Sequence, residues 1–424
     1  MRLLCQILAL FFSLGVLACF AQEPEPAAAT QAEPDGALPS EAAPSAGGRT
    51  AELEPHVDEL LEVCIEAASK FPLNPHIKNR SRAQELAVEA AFELGDLERG
   101  LRYANRIENW RRGSCYADYA YRLSDAGDSP EVQEYLDKAA QWIETGEGND
   151  WRTYQIRYKI ARVHERLGQE QEARAILVDL PEQTTVEQAE YEAERSRLTA
   201  EEEFDERIAW VDRAIKVGTL DDVMVAFSGL TVLYDRFYED DTRRDLIEEK
   251  LRSSRSKAPL DITLETLGTL GRTALEHGDR EHALELAGEL GELFASASWV
   301  PEDELQRAAP IAELRFLAGD EEGALAELAR LRKRFELKRK VIYDIYRADA
   351  LTPVAAAYAR AGDEATARSV YAQALEESVE NPNSRPRVDD LIQICLSMVE
   401  VGLDPGPELM ARIREVEGGL GDPW

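Results

Sequence analysis

A chain of 424 residues that is 44% hydrophobic and 31% charged has the means to fold, and its 82 acidic against 49 basic residues give a net charge of −33. So acidic a surface repels nucleic-acid phosphates and anionic membranes; nucleic acid is set aside as a partner, and solubility accounts for most of the charge. Ala, Leu, Glu and Arg dominate and aromatics make up only 7%, a composition of helix formers that argues against a large sheet.

The chain opens on an export signal. Arg2 supplies a positive start, and Leu3 to Phe20 is apolar except for Gln6 and Ser13. A retained anchor needs about 20 apolar residues and usually basic flanks. Here the next charges are Glu23 and Glu25, so cleavage is expected. Two sites compete. Cys19-Phe20-Ala21 suits ordinary signal peptidase and makes residues 1–21 the signal. Val16-Leu17-Ala18-Cys19 resembles a bacterial lipobox, which makes Cys19 a lipidated first residue. Either way the expectation is a protein exported to the periplasm or cell envelope, secreted or lipid-tethered, without an integral membrane span. Residues 22–50 are Ala, Pro, Glu and Ser with almost no large apolar side chains, a flexible spacer. Beyond it, Cys64, Cys115 and Cys395 are odd in number and lack CxxC spacing. They read as buried small hydrophobes rather than a disulfide framework or zinc site.

From residue 51 to about 417 one pattern returns. A helix of apolar 3–4 spacing runs into Gly, usually Gly-Asp, and a second helix starts at once. The turns are Leu94-Gly95-Asp96, Ala126-Gly127-Asp128, Leu167-Gly168-Gln169, His277-Gly278-Asp279, Ala318-Gly319-Asp320 and Ala361-Gly362-Asp363, with a last one near Gly402. Gly ends one helix in the left-handed conformation, Asp caps the next, and so short a turn makes the two helices antiparallel. The glycines stand 32, 41, 41 and 43 residues apart between Gly95 and Gly127, Gly127 and Gly168, Gly278 and Gly319, and Gly319 and Gly362. The 110 residues from Gly168 to Gly278 hold two further hairpins, turning at Glu203-Phe204-Asp205 and Glu239-Asp240-Asp241. The pattern predicts an all-α solenoid of about nine helical hairpins, about 19 helices and no sheet, with residues 418–424 as a flexible tail.

Around Gly362 the chain carries Leu351, Val354, Ala355, Tyr358, Ala367, Tyr371 and Ala374, closed by Pro382. Gly278 keeps Gly271, Ala274, Ala283, Ala287 and Leu290; Gly319 keeps Ala312, Ala324, Leu328 and Leu331; Gly168 keeps Ala161, Ala173, Leu177 and Leu180. On these positions the chain resembles the tetratricopeptide-repeat family. That family places a small residue seven before the turn glycine, an aromatic four before it, and Ala five and twelve after it. Gly127 has Val132 and Gly95 has Gly100 where that Ala is expected, and residues 185–257 follow the pattern poorly.

Chemistry has few markers. No Gly-Lys pair, G-x-S-x-G or HExxH occurs, so there is no P-loop, nucleophile elbow or zinc helix. His277 and His282 read as solvated turn residues and His164 as a packing residue. Acidic pairs such as Asp240-Asp241 are what an acidic surface produces by chance, and the six Trp are scattered. No catalytic, cofactor or metal residue is expected. The reading is a non-enzymatic protein-interaction scaffold; the alternative is an all-α toroidal carbohydrate-active enzyme, a hydrolase or lyase. An open, elongated particle goes with the first and a compact one with the second.

The resemblance also implies a binding face. In that family the first helix of each hairpin lines a concave groove, through positions thirteen, ten, six, three and two before the turn glycine. Carried over, these give Tyr121 before Gly127; Gln155, Tyr158, Arg162 and Arg166 before Gly168; Arg272 before Gly278; Phe316 before Gly319; and Arg360 before Gly362. Tyr and Arg carry most interface hot spots, and Arg forks onto carboxylates. The expected partner is therefore a protein or peptide segment bearing an acidic group. Removing Arg162 and Arg166 is expected to weaken binding without lowering stability. No Asn occupies these positions, so the Lys–Asn clamp with which some members grip a partner's C-terminal carboxylate is missing.

Overall fold

A computed structural model describes residues 53–144, 151–178, 180 and 186–424. The segment expected to be an export signal, with Cys19, and the spacer expected at 22–50 lie outside the described residues. Among these there are nineteen α-helices and no strand. Helix α1 (Pro55–Ser69) leads into nine hairpins. The first four are α2 (Leu73–Glu93) with α3 (Leu97–Ala104), α4 (Arg111–Leu123) with α5 (Pro130–Glu144), α6 (Trp151–Arg166) with α7 (Glu170–Leu177), and α8 (Val186–Leu198) with α9 (Phe204–Val217). Then come α10 (Leu220–Arg236) with α11 (Asp241–Ser254), α12 (Leu260–Glu276) with α13 (Arg280–Ala295), and α14 (Pro301–Ala318) with α15 (Glu321–Lys338). The last are α16 (Asp344–Arg360) with α17 (Glu364–Val379), and α18 (Ser384–Val401) with α19 (Gly406–Gly418).

The turns work as their sequence demands. All seven turn glycines from Gly95 to Gly402 take positive φ, where a side chain would be strained. Asp96, Asp240, Asp279, Asp320 and Asp363 accept a hydrogen bond from the first-turn amides of the following helix, each worth about 1 kcal/mol. After Gly127 the cap passes to Ser129, whose Oγ accepts from Val132 N at 3.2 Å. The two hairpins expected without a turn glycine are present, α9 starting at Phe204 and α11 at Asp241. Small residues permit close approach: a Cβ on Gly271 would fall 2.5 Å from Leu314, and one on Gly100 2.3 Å from the Phe92 ring. The ring of Phe92 therefore explains the Gly that replaces Ala after Gly95.

First helices pack on first helices as an inner layer, and second helices with α1 form the outer layer. The repeat is also visible in polar links at one separation. Tyr103 to Glu62, Lys159 to Asp118, Gln169 to Asp128 and Tyr238 to Asp279 are each 41 residues apart.

In place of the open array that the repeat spacing implies, the two ends meet. Helix α18 packs against α1 and α2, and α19 against α1. Leu60, Leu61, Cys64 and Ile65 of α1 are fully buried with Ile392 and Cys395 of α18 in one core. The seam is rimmed by Lys70 Nζ to Glu417 Oε1 at 2.8 Å and Arg414 Nε to Glu59 Oε1 at 3.2 Å. The closing residues, expected as a free tail, are tied down: Ser384 N donates to Pro423 O at 2.8 Å, and Trp424 packs on Phe71 with ring centroids 5.1 Å apart. Among the described residues the solenoid is thus a closed ring of nine inner helices.

Candidate functional site

The inner helices α2, α4, α6, α8, α10 and α12 enclose a cavity of about 120 Å³, room for several waters or one side-chain head group. Its wall is built from helical stripes three and four residues apart: Glu89 and Glu93; Asp118, Tyr121 and Arg122; Lys159 and Arg162; Glu190, Glu194 and Arg197. Opposite stand Ser228, Thr231, Thr269 and Thr273. Thr273 is 1% exposed, and its Oγ1 has no hydrogen-bond partner among the described residues.

Tyr121 is the centre of the basic wall. The Arg162 and Arg166 guanidiniums each lie 4.0 Å from its ring centroid, and its hydroxyl donates to Glu194 at 2.6 Å. Arg162 reaches Asp118 Oδ1 at 3.0 Å and also pairs with Glu190. Arg166 Nε donates to Glu194 at 2.9 Å, and its other end pairs with Asp125. Lys159 Nζ lies 2.6 Å from Asp118 Oδ2. Burial alone would raise the Glu194 carboxyl, but Arg197, Arg166 and Tyr121 outweigh it and hold that group low. Burial would likewise lower the Lys159 ammonium, and Asp118 with the surrounding glutamates holds it high.

Other carboxyls are less well matched. Burial pushes Glu93 up to about 7 against the pull of Arg122, which stands 3.9 Å away. Glu187, beside the cavity, is pushed to about 7 by burial despite Lys159. Burial and Glu85 also raise Glu89 well above the usual carboxylate range. Glu93 and Glu187 exchange protons near neutral pH, which suits a general acid or base. Among the described residues no group of three or more His, Cys, Asp and Glu is placed to hold a metal ion.

Of the residues singled out by sequence, Tyr121 and Arg162 line the cavity and Arg166 closes the stack behind Tyr121. Arg360 sits further round the ring, 3.2 Å from Glu313 and 2.5 Å from Glu400, and Arg272 is the other cation acting on Glu313. Tyr158 is instead a packing residue, clustered with Ala161, Ala173 and Tyr191. Gln155 and Phe316 are half-buried and outside the cavity lining. His277 and His282 are not merely solvated. His277 stacks on Tyr238 at 4.3 Å, and His282 Nε2 lies 2.6 Å from Glu248, joining α13 to α11.

The expectation of cheaply removable arginines is corrected: Arg162 and Arg166 are largely buried and paired with carboxylates of neighbouring helices. Their mates were legible in part. Asp125 stands two before Gly127, the same register that picked Arg166 two before Gly168. Glu190 and Glu194 lie on α8, whose turn has no glycine from which to count.

No family model matches the chain, and no curated protein matches it. Among solved structures it is similar to the crystal structure of Ton1535 from Thermococcus onnurineus NA1, at 13% identity over 86% of this chain and 99% of that one, with a TM-score of 0.22. It is also similar to a circular tandem repeat protein with novel repeat topology and enhanced subunit contact surfaces, at 15% identity over 86% of this chain and 94% of that one, again with a TM-score of 0.22. Superpositions that loose say nothing about function. No helix among the described residues is long and apolar enough to cross a membrane.

Proposed function

We propose that this chain is a non-enzymatic binding scaffold of the tetratricopeptide-repeat type, exported to the cell envelope, that takes a partner's head group into the cavity of its ring. The observation that carries the reading is Tyr121 on the cavity wall with two guanidiniums each 4.0 Å from its ring centroid. Stacked Tyr and Arg are the residue types that dominate interface energetics. The partner is a protein or peptide segment with an acidic group. That group replaces Glu190 on Arg162, whose Nε has no hydrogen-bond partner among the described residues. Affinity capture from envelope extract with the full chain tests this: a partner retained by the wild type and lost with Tyr121→Ala supports it, and equal retention sends the interface elsewhere. Mass measurement of the mature N-terminus decides between cleavage after Ala21 and lipidation at Cys19.

A second reading, a toroidal carbohydrate-active enzyme, is favoured by the closed ring and by Glu93 and Glu187 at about 7 beside the cavity. Turnover of envelope polysaccharide that disappears in Glu93→Gln or Glu187→Gln establishes it and overturns the scaffold.

A further inference from the structure

The outer-to-inner connection between α15 and α16 differs from the rest of this acidic surface. Between residues 333 and 347 the chain has six basic side chains against two acidic ones, Glu336 and Asp344. Leu337 is 70% exposed, Val341 64% and Tyr343 71%, with Ile345 and Tyr346 also more than a third exposed. Single exposed apolar residues are ordinary, but five within ten positions mark a contact surface.

The segment is held in this form. Ile342 is buried and anchors it, so its neighbours Val341 and Tyr343 point outward. Arg347 Nε donates to Arg339 O at 3.1 Å and to Ile342 O at 3.0 Å, bracing the connection from α16. Arg339 and Arg347 are paired with Glu380, and Arg339 also with Glu377. Lys333, Lys338 and Lys340 have no ion pair among the described residues. The result is a preformed apolar tip collared by free ammonium groups, on the rim opposite the turn glycines.

We propose that this tip docks on a bilayer carrying anionic lipid, with Val341, Tyr343 and Leu337 entering the headgroup boundary and Lys338 and Lys340 meeting lipid phosphates. Aliphatic and aromatic side chains standing out beside lysines are what an interfacial anchor requires. The net charge of −33 does not cancel the attraction, because charges farther than about 8 Å are screened at physiological salt. The proposal goes beyond the cavity reading and stands without it.

The test is flotation of the exported full chain, carrying Cys19→Ser in every arm so that no lipid is attached there, with vesicles of phosphatidylcholine alone or mixed with phosphatidylglycerol. Binding to the mixed vesicles is expected to exceed that to the neutral ones about tenfold or more. Lys333→Gln with Lys338→Gln and Lys340→Gln abolishes the difference, and Val341→Ser with Tyr343→Ser lowers binding at raised salt. An unchanged thermal melt keeps misfolding out of the comparison. Equal binding to both vesicles, indifference to the variants, or equal affinity for a polyglutamate peptide overturns the proposal, the last by handing the surface to an acidic protein.

Discussion

Replacing Arg162 by Ala asks whether the charged lining holds the ring together or stands ready for a partner. The guanidinium links Asp118 and Glu190 and covers Tyr121. Its loss leaves Asp118 with Lys159 at 2.6 Å, but takes the ion pair from Glu190, which then has only the more distant Lys159 among Glu89, Glu93 and Glu187. Removing one partner of a buried pair costs about 3–5 kcal/mol, much of it the uncompensated charge left behind. With an unfolding entropy of about 2.1 cal/mol/K per residue over the roughly 370 folded residues, that is a fall of about 4–6 °C in Tm. Arg174→Ala is the control, since its pair with Glu170 is 70% and 62% exposed and is worth less than about 1 kcal/mol. Differential scanning calorimetry at neutral pH reads both. Adding Glu190→Gln to Arg162→Ala is expected to recover part of the loss. Equal, small effects of Arg162→Ala and Arg174→Ala refute the reasoning and restore the freely removable arginine.

Glu93 and Glu187 are raised from 4.5 to about 7 by burial, so the native state keeps protons that the unfolded chain releases. Stability from these groups is fully present below about pH 4.5 and falls as pH rises through 7; Glu93→Gln and Glu187→Gln should flatten that decline in urea titrations across this range. Two glycines should respond with opposite signs. Gly362→Ala, at φ +77° with open space around the new Cβ, should cost about 1–2 kcal/mol, whereas Gly288→Ala, inside α13 and equally unobstructed, should stabilise by about 0.5–1 kcal/mol. Trp424→Ala removes the ring contact with Phe71 and should cost about 1–2 kcal/mol in the urea midpoint; no change there would mean the last residues are a tail after all.

The sequence makes helices, hairpins and turns readable because each is a local event. Gly95 or Gly362 must take positive φ, and Asp96 or Asp363 caps the next helix. The inward face was also readable, since counting back from those glycines finds Tyr121, Arg162, Glu89 and Glu93. What could not be read was anything set by residues far apart. Ring closure depends on α1 meeting α18 across more than 300 positions, with apolar side chains such as Leu61 and Ile392 that look like any other core residues. The pairing of Arg162 needed Glu190 from a hairpin without a turn glycine. For the same reason a face that looked basic on α6 alone is balanced by acids from α4 and α8.

Closure of the ring is the claim on which the cavity depends, and Glu59 with Arg414 tests it most directly. These side chains meet at 3.2 Å across the seam although 355 residues separate them, and both are partly exposed. With cysteines at both positions, Glu59→Cys and Arg414→Cys, and the native Cys64, Cys115 and Cys395 buried, a short bis-maleimide applied to dilute native protein should join the two ends within one molecule. The account predicts a nearly complete, fast-migrating circular product that disappears when the protein is unfolded before the reagent is added. Unlinked monomer, or linkage only between molecules, would contradict it and return the chain to an open array.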